Sequence, residues 1–295
     1  MACSIEDKKN LGLVDCNEFP GLINGMIETN SDFVIPAATL ASGSAAVQTY
    51  LQAALLDPIA DRIYYWPLFA SMENISEEAV YQDTPLKYRK VRDGNYRFRF
   101  GISENLCLHK NMFTHRRTNG RVFLRDQNGY LIGTLLSNGD FAGFSVALLN
   151  TEKMKFNDGS VASESPVVVA LASNIELDKN GEMFDASDFI EELYRIVDVE
   201  LTIVGSPSST SIVVDVTQVC DGTPVSGLVV ADFNLTDNDD GASHAISTAT
   251  ESATVPGRYT LAGISFEDSV LNLDAPDVLT IQAYESTGGV AVNVP

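Results

Sequence analysis

Five Asn-Gly or Asp-Gly pairs fall within residues 91–169, and they narrow what that stretch folds into: Asp93-Gly94, Asn119-Gly120, Asn128-Gly129, Asn138-Gly139 and Asp158-Gly159. Such pairs supply the positive φ angles of tight hairpins, and the apolar runs between them have strand length. The spacing predicts consecutive antiparallel strands. Within it, Tyr96, Phe98, Phe100 and Ile102 share one strand face, while Arg97 and Arg99 share the other. The aromatic face is expected to be core. The arginine face is expected to meet either water or acidic groups of another copy. Residues 167–171 form a nearly continuous apolar run, as in a strand covered on both faces.

Helical spacing is confined to short stretches. Ala45, Val47, Tyr50, Leu51, Ala54 and Leu55 recur along one face of residues 42–56, with Ser42 or Ser44 available as a cap and Pro58 past the end. A short helix after Ser103 would place Leu106, Lys110, Phe113 and Arg117 on one side. Asp185 is placed to cap another over residues 186–196, with Phe189, Ile190, Leu193, Tyr194 and Val197 as its apolar stripe. The polar stretch 74–91 lacks alternation and contains Pro85, so it reads as a long connection or a loosely paired arm.

Composition changes after the Ser-Pro-Ser-Ser-Thr run at 206–210, which reads as a linker between domains 1–204 and 205–295. Beyond it, Thr, Ser, Val, Asp and Gly dominate. Strands are expected at 211–219, 234–236, 245–250, 258–261, 278–284 and 290–294, in the manner of a small immunoglobulin-like sandwich.

Charge limits the partners. The 295-residue chain carries a formal charge of -21, and residues 199–295 hold 13 acidic residues against one basic, Arg258. Such a chain repels nucleic acid. Residues 87–125 run the other way, with eleven basic and two acidic residues. This basic belt reads either as a solvated, locally balanced face or as a surface that pairs with other copies of the chain. No apolar run reaches the length of a membrane span, and the polar first residues lack the apolar core of a signal peptide, so folding in a cytoplasm is expected. Cys3, Cys16, Cys107 and Cys220 are widely spaced, and in that setting free thiols are expected.

No catalytic or cofactor motif emerges. Cys107, His109 and His115 lack a second ligand pair at a zinc spacing. The acidic runs at 178–181 and 237–241 do not complete a calcium loop, and turn chemistry explains both. The three histidines sit in no nucleophile motif, and neither glycine-rich phosphate fingerprint is present. No enzyme activity, no metal and no cofactor are expected.

The segments FRFGISENLCLHK, NGRVFLRDQNGYLIGT and FAGFSVALLNTEKMKFNDGS together resemble tail tube (major tail) proteins of tailed bacteriophages. The resemblance covers roughly residues 63–204. It implies a mainly β fold: a tail-tube-type sandwich or barrel with one or two flanking helices, followed by an immunoglobulin-like sandwich displayed outside the tail. It further implies homohexameric rings stacked into a tube, assembled in the host cytoplasm, through which the genome leaves the virion. Tape-measure, tail-terminator and baseplate proteins would be partners, DNA would pass without specific binding, and the C-terminal domain would contact a host surface or glycan. Residues 74–91 match, by position, the loop that bridges stacked rings. Arg89, Arg92, Arg97, Arg99, Arg116 and Arg117 are the candidate inter-subunit contacts. The rival readings are a capsid decoration or head-fibre protein, and a glycan-binding tail adhesin or glycan hydrolase.

Overall fold

Strand alternation, rather than helix packing, shapes both halves of the chain. The computed structural model describes residues 20–294 apart from 60, 85–86, 105, 115–118, 158, 160–161, 194, 240, 264–266, 274–276, 280–281 and 287. The protein is mainly β and divides into two units, Met1–Leu193 and Tyr194–Pro295.

In chain order the first unit holds β1 (Ile23–Thr29), α1 (Ala37–Ala41), α2 (Ser44–Leu55), β2 (Tyr64–Tyr65) and β3 (Ser71–Asn74). Next come β4 (Val80–Thr84), β5 (Lys87–Arg92), β6 (Arg97–Ile102), α3 (Leu106–Thr114) and β7 (Gly120–Asp126). The unit finishes with β8 (Tyr130–Leu135), β9 (Phe141–Ala142), β10 (Phe144–Thr151), β11 (Ser165–Leu171), α4 (Asn174–Asp178) and β12 (Gly181–Asp185).

The pairings close on themselves. β1 pairs with β7, β7 with β10, β10 with β11, β11 with β6 and β6 with β3, all antiparallel. The segment carrying β2 and β3 completes the circuit: Trp66 and Phe69 donate their N–H groups to Met26 and Asn24 of β1, and Ala70 donates to Gly101 of β6. A barrel closed in this way leaves no free edge around its ring. Directly opposed residues point the same way, so the inward set can be followed around the circuit. Met26 faces Leu124, Val122 faces Phe144, Val146 faces Leu171, and Val169 and Val167 face Phe98 and Phe100. All of these belong to one buried cluster with Trp66 and Phe69. Near its edge, the buried Glu28 carboxylate accepts a 3.0 Å hydrogen bond from the Trp66 indole.

The opposite face of β1 and β7 carries Ile27 and Phe123, buried like Val47, Leu51, Ala54 and Leu55 of α2. The 3-4 spacing of those α2 residues gives one apolar stripe. Gly43, with φ of 94°, precedes the helix in place of a serine cap, and the Ser42 hydroxyl instead donates to Ala38 in α1. In α3 Met112 is buried, whereas Leu106, Lys110 and Phe113, which share one side as the spacing predicts, are exposed.

The second unit contains β13 (Arg195–Ile203), β14 (Ser211–Gln218), β15 (Phe233–Asp237), β16 (Ser243–His244) and β17 (Ile246–Glu251). It continues with β18 (Arg258–Gly263), β19 (Ser269–Leu273), β20 (Asp277–Leu279), β21 (Gln282–Ser286) and β22 (Val290–Val292). One sheet runs β17-β18-β14-β13-β21-β20 and the other β16-β15-β19-β22. Inward residues of both sheets, among them Leu201, Val214 and Tyr259 from the first and Leu235 and Leu271 from the second, share one core, which makes the unit a sandwich.

Several expectations are corrected. The boundary lies at 193/194 rather than 204/205, because β13 pairs with β14 and, in parallel, with β21. The run at 206–210 is therefore the turn between β13 and β14 and no linker, with Ser208 bridged to Ser211. The helix expected over 186–196 is absent. Ala186, Phe189, Ile190 and Leu193 are buried as the pattern required, but through a short 3-10 turn at Ile190–Glu192, and the β-branched run beyond is drawn into the second sheet. Gly129, Gly139 and Gly159 have the positive φ of turn residues, whereas Gly120 opens β7 and Gly94 meets a different need described below. Cys107 and Cys220 each take part in a disulfide and no described cysteine is free, against the expectation of thiols. That expectation rested on compartment and spacing, whereas pairing depends on which side chains the fold brings together.

Candidate assembly surface

The outward face of β6 is where the candidate arginines can be judged. Arg99 lies directly opposite Glu73 of β3 and donates to it from Nη1 at 2.8 Å, while its Nε donates to Glu152 at 3.2 Å. The hydrogen bond to Glu73 holds the guanidinium's proton even more firmly than usual. Arg97 and Arg92 approach the two oxygens of Glu77 at 3.6 and 3.5 Å. Alongside, Glu164 accepts from Lys155 and from the Ser71 hydroxyl, and the lysine holds its carboxyl below the usual range. Gly101 makes this possible, since a Cβ there would lie 2.1 Å from the Glu164 carboxylate.

Arg92, Arg97 and Arg99 thus meet acids of their own chain. The sequence argument that they need acids from another copy loses its premise for these three, because Glu73 and Glu77, which lie on the preceding strand and its extension, are brought beside them by the folding back of that segment. Exposed pairs of this kind add about 0–1 kcal/mol each and serve mainly to balance the surface. For Arg89 the backbone lies in β5 and its side chain is outside the described residues, as are Arg116 and Arg117 altogether.

The element that carries part of the basic belt stands apart from the main sheet. β4 and β5 pair only with each other, as a two-stranded sheet outside the barrel. This arm realises the loosely paired reading of the polar stretch. It grows out of the β3–β6 pair, whose ladder continues through Ile75 donating to Arg97 and Glu77 donating to Asn95. At this root Gly94 passes so close to the Glu77 carbonyl that a Cβ would sit 1.7 Å from its oxygen. Asn174 of α4 braces the root by donating to the Gly94 carbonyl, and Asp178 accepts from the Tyr96 hydroxyl. Along the arm, Val80, Tyr81 and Val91 are 40%, 48% and 59% exposed, a large apolar surface for so short an element. Gly94→Ala is expected to dislodge the root by about 1–3 kcal/mol. Limited proteolysis within the arm should then run about tenfold faster, with the barrel itself still protected.

A shallow polar cleft of about 170 Å³ at the arm root, lined by Ser76, Glu77, Asp93, Asn95, Asn174 and Asp178, is well below ligand-pocket size. Among the described residues no group of three or more His, Cys, Asp or Glu side chains is arranged to hold a metal. His109 instead hydrogen-bonds Ser165 at 2.9 Å, and Asp237 accepts the Asp239 N–H as a turn residue. No described helix is long and apolar enough to cross a membrane. Comparisons with family models, characterised proteins and solved structures return no match to this chain, so the reading of its surface rests on the geometry above.

Proposed function

We propose that this chain is a virion structural protein that assembles with copies of itself into hexameric rings stacked as the tail tube of a phage. The observation that carries the reading is the arm: a two-stranded sheet projecting from a closed barrel, with exposed apolar residues and no third strand paired to it among the described residues. An isolated hairpin is marginal in water, so such an element is stabilised when another copy covers it. The barrel ring has no free edge, which leaves contacts between copies to the projecting arm and to the flanking strands. A net charge of -21 suits a conduit, because a wall that neutralised phosphates would retain DNA in a salt-dependent way. The second unit is the immunoglobulin-like module of this reading, carried on the tube exterior. Tape-measure, terminator and baseplate proteins are then the partners at the ends of the tube, and the protein works in the virion without catalysis.

Electron microscopy of the purified chain at rising concentration tests this. Six-fold rings or tubes are expected, with antibody against the second unit labelling their outside. A chain that stays monomeric across concentration, salt and pH would overturn the proposal.

A further inference from the structure

We infer that the Cys107 disulfide is a redox latch on α3, a lid over one end of the first unit's barrel. Oxidised, it holds the lid shut; reduced, it lets the lid open while the barrel stays folded. The inference does not depend on the assembly reading above.

Strand register shows what α3 covers. β6 and β10 finish, and β11 begins, at the same end of the barrel, because Ile102 pairs with Ser165 and Thr151 with Val167. Ile102 and Val167 belong to the inward set, so Ser165 and Thr151, directly opposite them, also point inward. Both are buried, and α3 meets both. The Thr151 hydroxyl donates to the Met112 carbonyl at 2.9 Å, and the His109 Nδ1 hydrogen-bonds the Ser165 hydroxyl at 2.9 Å. Met112 is buried in the barrel cluster, and Leu108 packs half-buried against it. The helix therefore lies across the rim of the barrel rather than along its outer wall.

Its hold there is limited. Nine residues are too few for a helix to persist by itself, so α3 depends on what it packs against. Only part of its apolar surface is turned to the barrel, since Leu106 and Phe113 are 57% and 41% exposed. The burial gained on closing is correspondingly smaller than for a helix with a single apolar stripe. The two hydroxyls beneath it can exchange their helix partners for water when the lid lifts. An element held by so few buried groups opens locally, without global unfolding.

A covalent tie in its first turn changes that balance. Cys107, the second residue of α3, takes part in a disulfide, and the chain's other cysteines, Cys3, Cys16 and Cys220, are all far from it in sequence. A crosslink between distant segments removes much of the freedom that opening would gain. Cys107 is half-buried, within reach of a small reductant. A dithiol breaks the S–S bond by giving two electrons and two protons to the two sulfurs, and leaves as its own cyclic disulfide. Glutathione disulfide reverses the step, taking two electrons and two protons and leaving as two thiols. A reducing cell interior keeps such a lid loose, and an oxidising exterior latches it.

Amide hydrogen exchange on the full chain tests the latch. Exchange over residues 106–114 is compared in glutathione disulfide and in dithiothreitol, with thiol titration to confirm each state. It is expected to be at least about tenfold faster in the reduced chain, with β7 and β11 protected equally in both. Cys107→Ser is expected to exchange at the reduced rate in either buffer. Equal exchange at 106–114 in the two buffers would overturn the inference, as would slow exchange in the variant or a Cys107 thiol still alkylated after oxidation. Loss of protection throughout the barrel on reduction would also overturn it, because the disulfide would then hold the whole unit rather than a lid. Should Cys107→Ser fail to fold, the comparison of the two buffers on the unchanged chain decides alone.

Discussion

Replacing Phe100 with alanine is expected to destabilise the first unit by roughly 3–5 kcal/mol. The ring is fully buried, stacks on Phe69 at a centroid distance of 4.3 Å and lies 6.1 Å from Phe98. Its strand neighbours across the sheet are Val167 and Met72. A cavity left here has little way to collapse, because the surrounding backbones are hydrogen-bonded around a closed circuit and cannot move inward independently. Domains of this size are stable by only about 5–15 kcal/mol, so the change removes a large share. Urea unfolding should show a lower midpoint with an unchanged slope. Arg99→Ala, one residue away on the same strand, is the control. Its side chain points outward to Glu73 and Glu152, and its loss is expected to cost no more than about 1 kcal/mol. Equal effects of the two changes would show that β6 does not have the inside and outside described.

The contrast between Phe100 and Arg99 also shows what could be read before any coordinates. A two-residue period assigns faces locally, so the aromatic side of β6 was legible from residues 96–102 alone. The buried run of β11 and the stripe of α2 were legible for the same reason. Partners across the sheet were not. Glu73 lies opposite Arg99 and Glu77 lies between Arg92 and Arg97 because β3 and the arm root fold back in register, and register depends on turns and on the whole core. Arg92, Arg97 and Arg99 thus had no visible partners in sequence, yet they are matched with acids in space.

The helix expected at 186–196 failed on a similar balance. Phe189, Ile190 and Leu193 satisfy a helical stripe, yet three residues of 3-10 turn bury them equally well. Pairing of β13 with two neighbours then outweighs local propensity from Arg195 onward. A strand was legible from residue 199 onward, but not that it starts at Arg195 or belongs to the second unit; Val199 and Leu201 are buried in the sandwich core and Val197 packs partly buried against it. The arm was obscured for the opposite reason. Polar residues and Pro85 weaken any strand pattern, and its exposed apolar residues count as scattered until the pairing of β4 with β5 gathers them on one element.

In the second unit the strongest single-atom prediction concerns Tyr259. Its ring is fully buried between the sheets, tilted against Phe233 at 5.4 Å, and its hydroxyl is the only polar part. That hydroxyl donates to the Val225 carbonyl at 2.8 Å and accepts the Leu228 N–H at 3.1 Å, tying the loop before β15 to β18. Tyr259→Phe keeps the ring and leaves two buried backbone groups without partners, so a loss of roughly 2–4 kcal/mol is expected near neutral pH. Burial pushes the phenol up to about 12 from its ordinary value of 10.0, because the charged form would be stripped of water. A raised folded value means the unfolded chain releases the proton first. The contribution is therefore complete below about pH 10 and is lost as pH climbs through about 12. The stability gap between the protein and Tyr259→Phe should accordingly be widest at pH 8 and narrow toward pH 12, while titration of all other groups is common to both and cancels. A gap that stays constant over that range would mean that the hydroxyl reaches water and that the loop is held by other contacts.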